Sequence, residues 1–324
     1  MKTQSTHKMN LLESIRKTGE AALENSFLRR ARFSTPDDWI VLSWIVFMHV
    51  GALAGFFTFN WKAFAVCMAL YWFTGGIGIC LGFHRYFTHR SFKTPKPVEY
   101  FLAVVGCLAG EAGPISWVAA HRYHHTYSDT EKDPHSPLKS FMWAHMTWLF
   151  GREKNLAEFN EYKKYAPDMA NDRFLVFLDH AHILPALILT VILYFLGGWS
   201  FVVWGIFVRS VIVYHSTWFV NSASHVWGYR SFKTTDRSKN NWWVAILSFG
   251  EGWHNNHHAF QRSARHGLRW WEIDLTYRTI QFLWVFGLAS QIHLPVKPAE
   301  RGITMPVFEF GGRTAFLPRL ADES

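Results

Sequence analysis

Apolar positions in this chain gather into long unbroken runs and show neither the strict alternation of a half-buried strand nor the single stripe of a surface helix. Four such runs cover approximately residues 39–59, 63–83, 174–196 and 199–220. Each matches the roughly 20 apolar residues that carry a helix across a bilayer. The turns inside each pair are very short, "FNWK" and "LGGWS". Each pair therefore predicts a helical hairpin whose polar ends return to the same side. The fold class expected is an all-α integral membrane protein, with four transmembrane helices in two hairpins. A helical cap built from two inserts, 84–173 and 221–295, lies on one membrane face. A further apolar stretch, 98–118, is read as non-spanning because Gly110, Glu111, Gly113 and Pro114 interrupt it. The run "YSDTEKDPHSP" reads as a loop, since its Asp-Pro and Ser-Pro pairs disfavour helix. Three regions follow: a polar, basic arm over 1–37, a main body over 38–295, and an irregular Pro- and Gly-containing tail over 296–324.

Composition agrees with a membrane protein: 49% of residues are hydrophobic and 18% aromatic, with 17 tryptophans. The formal charge of +9 is distributed unevenly, for the short turns hold only Lys62 while the arm, the inserts and the tail hold nearly all other Lys and Arg. That bias places the larger segments, both termini included, in the cytoplasm, facing anionic headgroups. No basic-aromatic recognition motif accompanies the charge, so nucleic acid is excluded as a partner. The arm lacks the short apolar core of a secretory signal. Cys67, Cys80 and Cys107 lie in apolar runs without metal-ligand spacing and read as buried small hydrophobes.

Histidine is what composition alone does not explain. "HRYFTH" carries His84 and His89, "HRYHH" carries His121, His124 and His125, and "HNNHH" carries His254, His257 and His258. At about 100° per residue, the i, i+3, i+4 spacing of the second and third clusters puts three imidazoles on one helix face. His84 and His89 are five apart and so about 140° apart on an ideal α-helix; one of them belongs at a helix end or bend, or approaches from another side. "NSASH" places Asn221 and His225 one turn apart at the end of the last span. All these residues fall on the cytoplasmic side. Nine histidines and one asparagine exceed what one ion uses and point to two metal ions. Neutral nitrogen ligands suit iron, zinc, copper or nickel better than magnesium or calcium. Asp129, Asp133, Glu111 and Glu251 lie near the clusters in sequence and are candidates to orient them. His7, His49, His135, His145, His180, His182, His215, His266 and His293 stand apart and read as surface, interface or packing residues. Arg209 and His215, inside the fourth span, must point inward, with an interhelical hydrogen bond the simplest role for His215.

Together, "GFHRYFTHRSFKTP", "HRYHHTYSDTEKDPHSP", "NSASH" and "GEGWHNNHH" resemble the membrane-bound fatty acid desaturases of the stearoyl-CoA and acyl-lipid delta-9 type, over about 39–295. The resemblance implies a non-haem di-iron centre held by His84, His89, His121, His124, His125, His225, His254, His257 and His258, with Asn221 holding a metal-bound water. It implies an O2-dependent fatty acyl desaturase acting in lipid biosynthesis, which places a cis double bond in a saturated chain carried on CoA or a glycerolipid. Two electrons per turnover come from a separate donor, a ferredoxin or a cytochrome b5 with its reductase, since neither end carries a haem-binding extension. "GIGICLGFHRYFTHRSFKTP" and "HLPVKP" are closer to bacterial, cyanobacterial and plant versions, which favours a bacterial inner membrane over endoplasmic reticulum. An apolar bent tunnel is expected, partly lined by Trp117, Trp143, Trp148 and Trp253. Two alternatives remain open at this stage. A fatty-acyl hydroxylase would use the same metals, and a histidine-rich metal transporter would need ligands along its spans, where only His49, His180, His182 and His215 are found.

Overall fold

The computed structural model describes residues 36–150, 164–295, 309–310 and 313–314. Among the described residues the regular elements are helices, apart from one two-stranded ladder, Glu309–Phe310 with Arg313–Thr314, inside the segment expected to be irregular, and three isolated bridges. All but the last two residues of the basic arm lie outside the described residues.

Three helical stretches are long and apolar enough to cross a membrane: Asp38–Thr58, Trp61–Thr88 and Leu184–Val226. The first takes in all but the first two residues of α1, Pro36–Leu53. The second, α2, starts where the Asn60 side chain accepts a hydrogen bond from the Ala63 amide and runs to Thr88. The third spans 43 residues, about twice the length a bilayer core requires. Its first part, α7 (Leu184–Val202), is broken at Gly197 and Gly198, and Gly198 adopts φ +65, a left-handed conformation that glycine takes without penalty. Beyond the break Gly205 packs closely on Leu193, where a Cβ would lie 2.6 Å from the leucine side chain. After the π-wound turn Val203–Val208, α8 runs from Arg209 to Val226. At the turn ends, Asn60 donates to Ser200 (2.6 Å) and the Ser200 hydroxyl donates to the Thr58 carbonyl, tying the two turns together.

One boundary differs from expectation. Residues 174–183 do not open the third span: Arg173–His180 is a separate short helix, α6, capped by Asp172. Its Asp179 carboxylate accepts from the Ile115 and Ser116 amides and the Ser116 hydroxyl, and so caps a different helix instead of entering the bilayer. That capped helix is α4, Pro114–Tyr127, preceded by α3, Lys96–Cys107. The break between them, at 108–113, sits where the glycines, Glu111 and Pro114 predict it, and the stretch is not a span.

Short elements complete the cap: α5 (Phe141–His145), α9 (Trp242–Leu247), α10 (His254–Ala259) and α11 (Leu275–Val285). The main apolar core joins α2, α3, α4, α6 and α11 around Phe83, Leu102, Ile115, Leu175 and Ile280. Arg209 is fully buried, donating to the carbonyls of Gly205 and Leu108, which satisfies a charge that apolar surroundings would otherwise penalise.

Candidate metal centre

Four segments deliver the imidazoles. His84 lies at the end of α2, whose last 17 residues, Trp72–Thr88, are wound as a π-helix. That winding answers the spacing problem of the first cluster. The His89 amide bonds to the His84 carbonyl, an i→i+5 contact, so residues five apart share a face. Their rings stand 4.8 Å apart, with His89 closing the helix end. His121, His124 and His125 lie on α4, His225 on the last turn of α8, and His254, His257 and His258 on α10.

Nine imidazoles separate into two groups whose nitrogen atoms lie within 4.8 Å of one another: His84, His89, His121, His125 and His257 in one, and His124, His225, His254 and His258 in the other. Asn221 lines the adjoining cavity.

Carboxylates decide which ring nitrogen faces inward. Nδ1 of His124 donates to Asp133 (3.0 Å), Nδ1 of His225 to Asp129 (3.0 Å) and Nδ1 of His258 to Asp236 (2.8 Å). Nδ1 of His84 lies 2.7 Å from Glu251. With Nδ1 carrying the proton, Nε2 carries a lone pair. Yet Nε2 of His225 and Nε2 of His258 sit 3.0 and 3.1 Å from the single Nε2 of His254, which has at most one proton to offer. In the other group, Nε2 of His125 lies 3.1 Å from that of His121 and 3.0 Å from that of His257, which in turn lies 3.2 Å from that of His84. Nε2 of His89 and of His124 is buried without any partner. Hydrogen bonds among neutral rings leave these lone pairs crowded, whereas one cation at the focus of each group satisfies them. The donor set fits two nitrogen-bound transition metals.

Burial and mutual proximity disfavour the charged form of several of these imidazoles. Burial, reinforced by neighbouring imidazoles, holds His121, His125, His254 and His257 well below the ordinary histidine range. Burial likewise pushes His258 down to about 4, although Asp236 pulls it upward. Burial alone would raise the Glu251 carboxyl, but the Arg85 guanidinium and the imidazoles of His84 and His266 reverse this and hold it well below its usual range. Arg85, itself fully buried, reaches Glu251 (3.0 Å) and Asp274 (2.9 Å) and donates to the Ala264 carbonyl.

The model family described as fatty acid desaturase matches residues 59–291, which contain every one of these imidazoles. This chain belongs to the fatty acid desaturase family. It is 52% identical over 262 residues to the sn-1 stearoyl-lipid 9-desaturase of Anabaena variabilis, covering 80% of this chain and 95% of that one. It is 47% identical over 255 residues to the sn-2 palmitoyl-lipid 9-desaturase of Nostoc sp. strain 36 (78% and 90% covered). It is also 46% identical over 254 residues to an acyl-CoA C20 Delta5-desaturase of Anemone leveillei (78% and 81% covered). The chain is thus an oxidoreductase of the membrane fatty acid desaturase type.

Beside the imidazoles, this desaturase carries a cavity of about 510 Å3 lined by α1 (Ile40, Val41, Trp44), by α8 (Tyr214, Thr217, Trp218) and, at its inner end, by His84 and His121. Trp117 and Trp148 line it as expected, but Trp143 and Trp253 do not. Their indole nitrogens donate to the Pro134 and Ile273 carbonyls and both rings are buried in packing. Trp44 and Trp218 line the wall with them, from helices that sequence proximity to the histidines does not single out.

Of the proposed orienting carboxylates, Asp129, Asp133 and Glu251 touch ligand rings, whereas Glu111 holds Trp117 Nε1 (3.1 Å) and Thr217 Oγ1 (2.7 Å) at the cavity wall. Burial raises the Glu111 carboxyl to about 7, against the lowering effect of those two donors. Asp236 escaped the sequence reading because it lies 22 residues before the His258 it orients. His266 and His135, read from the sequence as surface, interface or packing residues, lie buried beside the clusters. His266 sits 3.0 Å from Glu251 with its ring 4.5 Å from that of His257, and the His135 ring lies tilted 4.2 Å from that of His124. His215 does point inward, meeting His49 (3.1 Å) and His145 (3.0 Å). His7 lies outside the described residues.

Proposed function

We propose that the chain is a di-iron, O2-dependent acyl desaturase that introduces a cis double bond, at the delta-9 position, into a saturated acyl chain carried on a glycerolipid or CoA. The observation that carries this reading is the pair of adjacent lone-pair clusters, the first of which meets an apolar cavity through His84 and His121. Relatives named for stearoyl-lipid and palmitoyl-lipid substrates support the lipid carrier, and the acyl-CoA relative keeps CoA in play.

On this reading one iron is held by His84, His89, His121, His125 and His257 and the other by His124, His225, His254 and His258, with Asn221 positioning a water. Bound iron supplies the O2 chemistry that an unactivated C–H bond requires and that no acid, base or nucleophile on the chain provides. The remaining work belongs to the protein. Asp129, Asp133, Asp236 and Glu251 keep the Nε2 lone pairs aimed inward. The cavity wall, largely apolar, holds the chain against His84 and His121 and keeps water away. Four spans in two hairpins, with the metal side and both termini cytoplasmic, fit the break at Gly197–Gly198 and the joined turns. Residues 38–295 form the catalytic body, in a bacterial inner membrane, and a ferredoxin or a cytochrome b5 with its reductase delivers electrons.

The test is His124→Ala and His257→Ala, one from each group, expressed in desaturase-deficient cells. Both variants insert into membranes normally, lose bound iron and form no cis-9 alkene by double-bond mass spectrometry. Full activity in either would sink the ligand assignment, and a hydroxylated product from the native chain would replace desaturation with hydroxylation.

A further inference from the structure

Residues 227–295 hold eight Lys and Arg and four Asp and Glu, and the fold sorts them completely. Asp236, Glu251, Glu272 and Asp274 are all buried. They turn inward to His258, to Arg85 and to the backbone amides of 266–269. Arg230, Lys233, Arg237, Lys239, Arg262, Arg265, Arg269 and Arg278 are all exposed or half-exposed. The segment that carries the third histidine cluster therefore presents cations and not one carboxylate.

Within that face one spot leads inward. Trp271 is 38% exposed, and its ring packs edge-on against Trp253, 3% exposed, at 5.6 Å between centroids. Trp253 is bonded through the backbone to His254. Tyr229 flanks Trp271 at 5.7 Å, and the Arg269 guanidinium lies over both rings, at 5.2 and 5.8 Å. Trp270 and Ile273 add exposed apolar surface beside them. Two aromatic rings thus bridge the protein surface and a metal-ligating imidazole, under a cation.

We propose that this face, centred on Arg269 and Trp271, docks an acidic one-electron carrier protein, and that Trp271 and Trp253 conduct its electron toward His254. The proposal rests on the desaturase reading above. The balance is one electron per encounter, the carrier being oxidised and the metal centre reduced. Two encounters, one O2, two protons and the two hydrogens taken from the acyl chain yield one double bond and two waters. An anionic lipid surface would also welcome eight cations, but it has no use for a ring pair that ends on a ligand. An acidic carrier uses both features, steered by the charge and seated on the exposed rings.

The experiment uses the iron-loaded full chain in nanodiscs of neutral lipid and a net-negative [2Fe–2S] ferredoxin as probe. The double reversal Arg269→Glu with Arg278→Glu should weaken ferredoxin binding about tenfold or more at low ionic strength and flatten its salt dependence. Lys132→Glu, an exposed cation of the other insert, should leave binding unchanged. Trp271→Leu should bind ferredoxin with native affinity while slowing ferredoxin oxidation severalfold in stopped flow, a split that a folding defect does not produce. Native binding by the double reversal, or native oxidation rates with Trp271→Leu, would overturn the proposal. So would reversals that change thermal stability only in phosphatidylglycerol nanodiscs and leave ferredoxin affinity intact, which would assign the face to lipid. Failure of the native chain to form an alkene while ferredoxin still binds would overturn the desaturase reading instead.

Discussion

The proposed ligand nitrogens are oriented by carboxylates that lie outside the two nitrogen groups. The Asp236 carboxylate accepts from His258 Nδ1 and is itself held by the Ser238 amide and hydroxyl, so the imidazole has one orientation and one tautomer. Loss of the carboxylate charge in Asp236→Asn should lower iron affinity about 10- to 100-fold, read as iron retained against a chelator, with Asp236→Ala worse. Native retention by Asp236→Asn would mean that the acceptor atom matters and its charge does not. Glu111 offers a second test, through pH. Its carboxyl is raised from 4.5 to about 7 in the fold, so the stability that comes from burying it neutral is complete below about 4.5 and is lost as pH rises through about 7. Glu111→Gln keeps an acceptor for Trp117 Nε1 and leaves the Thr217 hydroxyl free to reverse its role. Its melting temperature should exceed that of the native chain by a margin that grows between about pH 4.5 and 7 and then levels off, worth on the order of 3 kcal/mol. A margin independent of pH would show that the carboxyl does not titrate there.

Between residue and whole molecule, what was legible depended on whether an element obeys ideal helix geometry. The i, i+3, i+4 clusters did, and His121, His124 and His125 on α4 and His254, His257 and His258 on α10 form the faces their spacing predicts. His84 and His89 did not, because π winding is a departure that no periodicity announces. Arg173–His180 was absorbed into a predicted span because its apolar residues continue those of α7. Only the Asp172 cap and the Asp179 bonds to α4, both tertiary facts, detach it. Asp236 was invisible, and His266 was set apart from the clusters, for the same reason: folding and not nearness in sequence brings them to the site. Close helix approach supplies the prediction at this scale. A Cβ on Gly78 of α2 would meet the Val105 carbonyl oxygen of α3 at 2.7 Å, backbone that has no rotamer by which to yield. Gly78→Ala should therefore destabilise the protein by about 1–3 kcal/mol and loosen iron, since α2 carries His84. Gly198→Ala, with nothing within 4 Å and only its left-handed φ to strain, should cost about 1 kcal/mol and leave iron in place. Thermal melts and metal content separate the two, and equal losses would show that the α2–α3 approach is not the constraint.

Across the whole molecule, the two turns and the imidazole clusters occupy opposite ends of the spanning helices. Asn60 and Ser200 meet where the turns join, whereas His84 and His225 lie at the far ends of α2 and α8. The positive residues follow the same division, with Lys62 alone at the turns. On the proposed topology every one of these imidazoles lies at the cytoplasmic surface, within reach of soluble electron carriers, with the apolar cavity beside them. Cysteine accessibility tests it cleanly, because Cys67, Cys80 and Cys107 are all buried and give no background labelling. A membrane-impermeant maleimide added to spheroplasts should label Ser200→Cys and spare Lys132→Cys and Lys233→Cys. Inverted vesicles should show the reverse pattern. Labelling of Ser200→Cys and Lys233→Cys from the same side would mean that the 43-residue stretch does not cross and return, and the two-hairpin topology would fall with it.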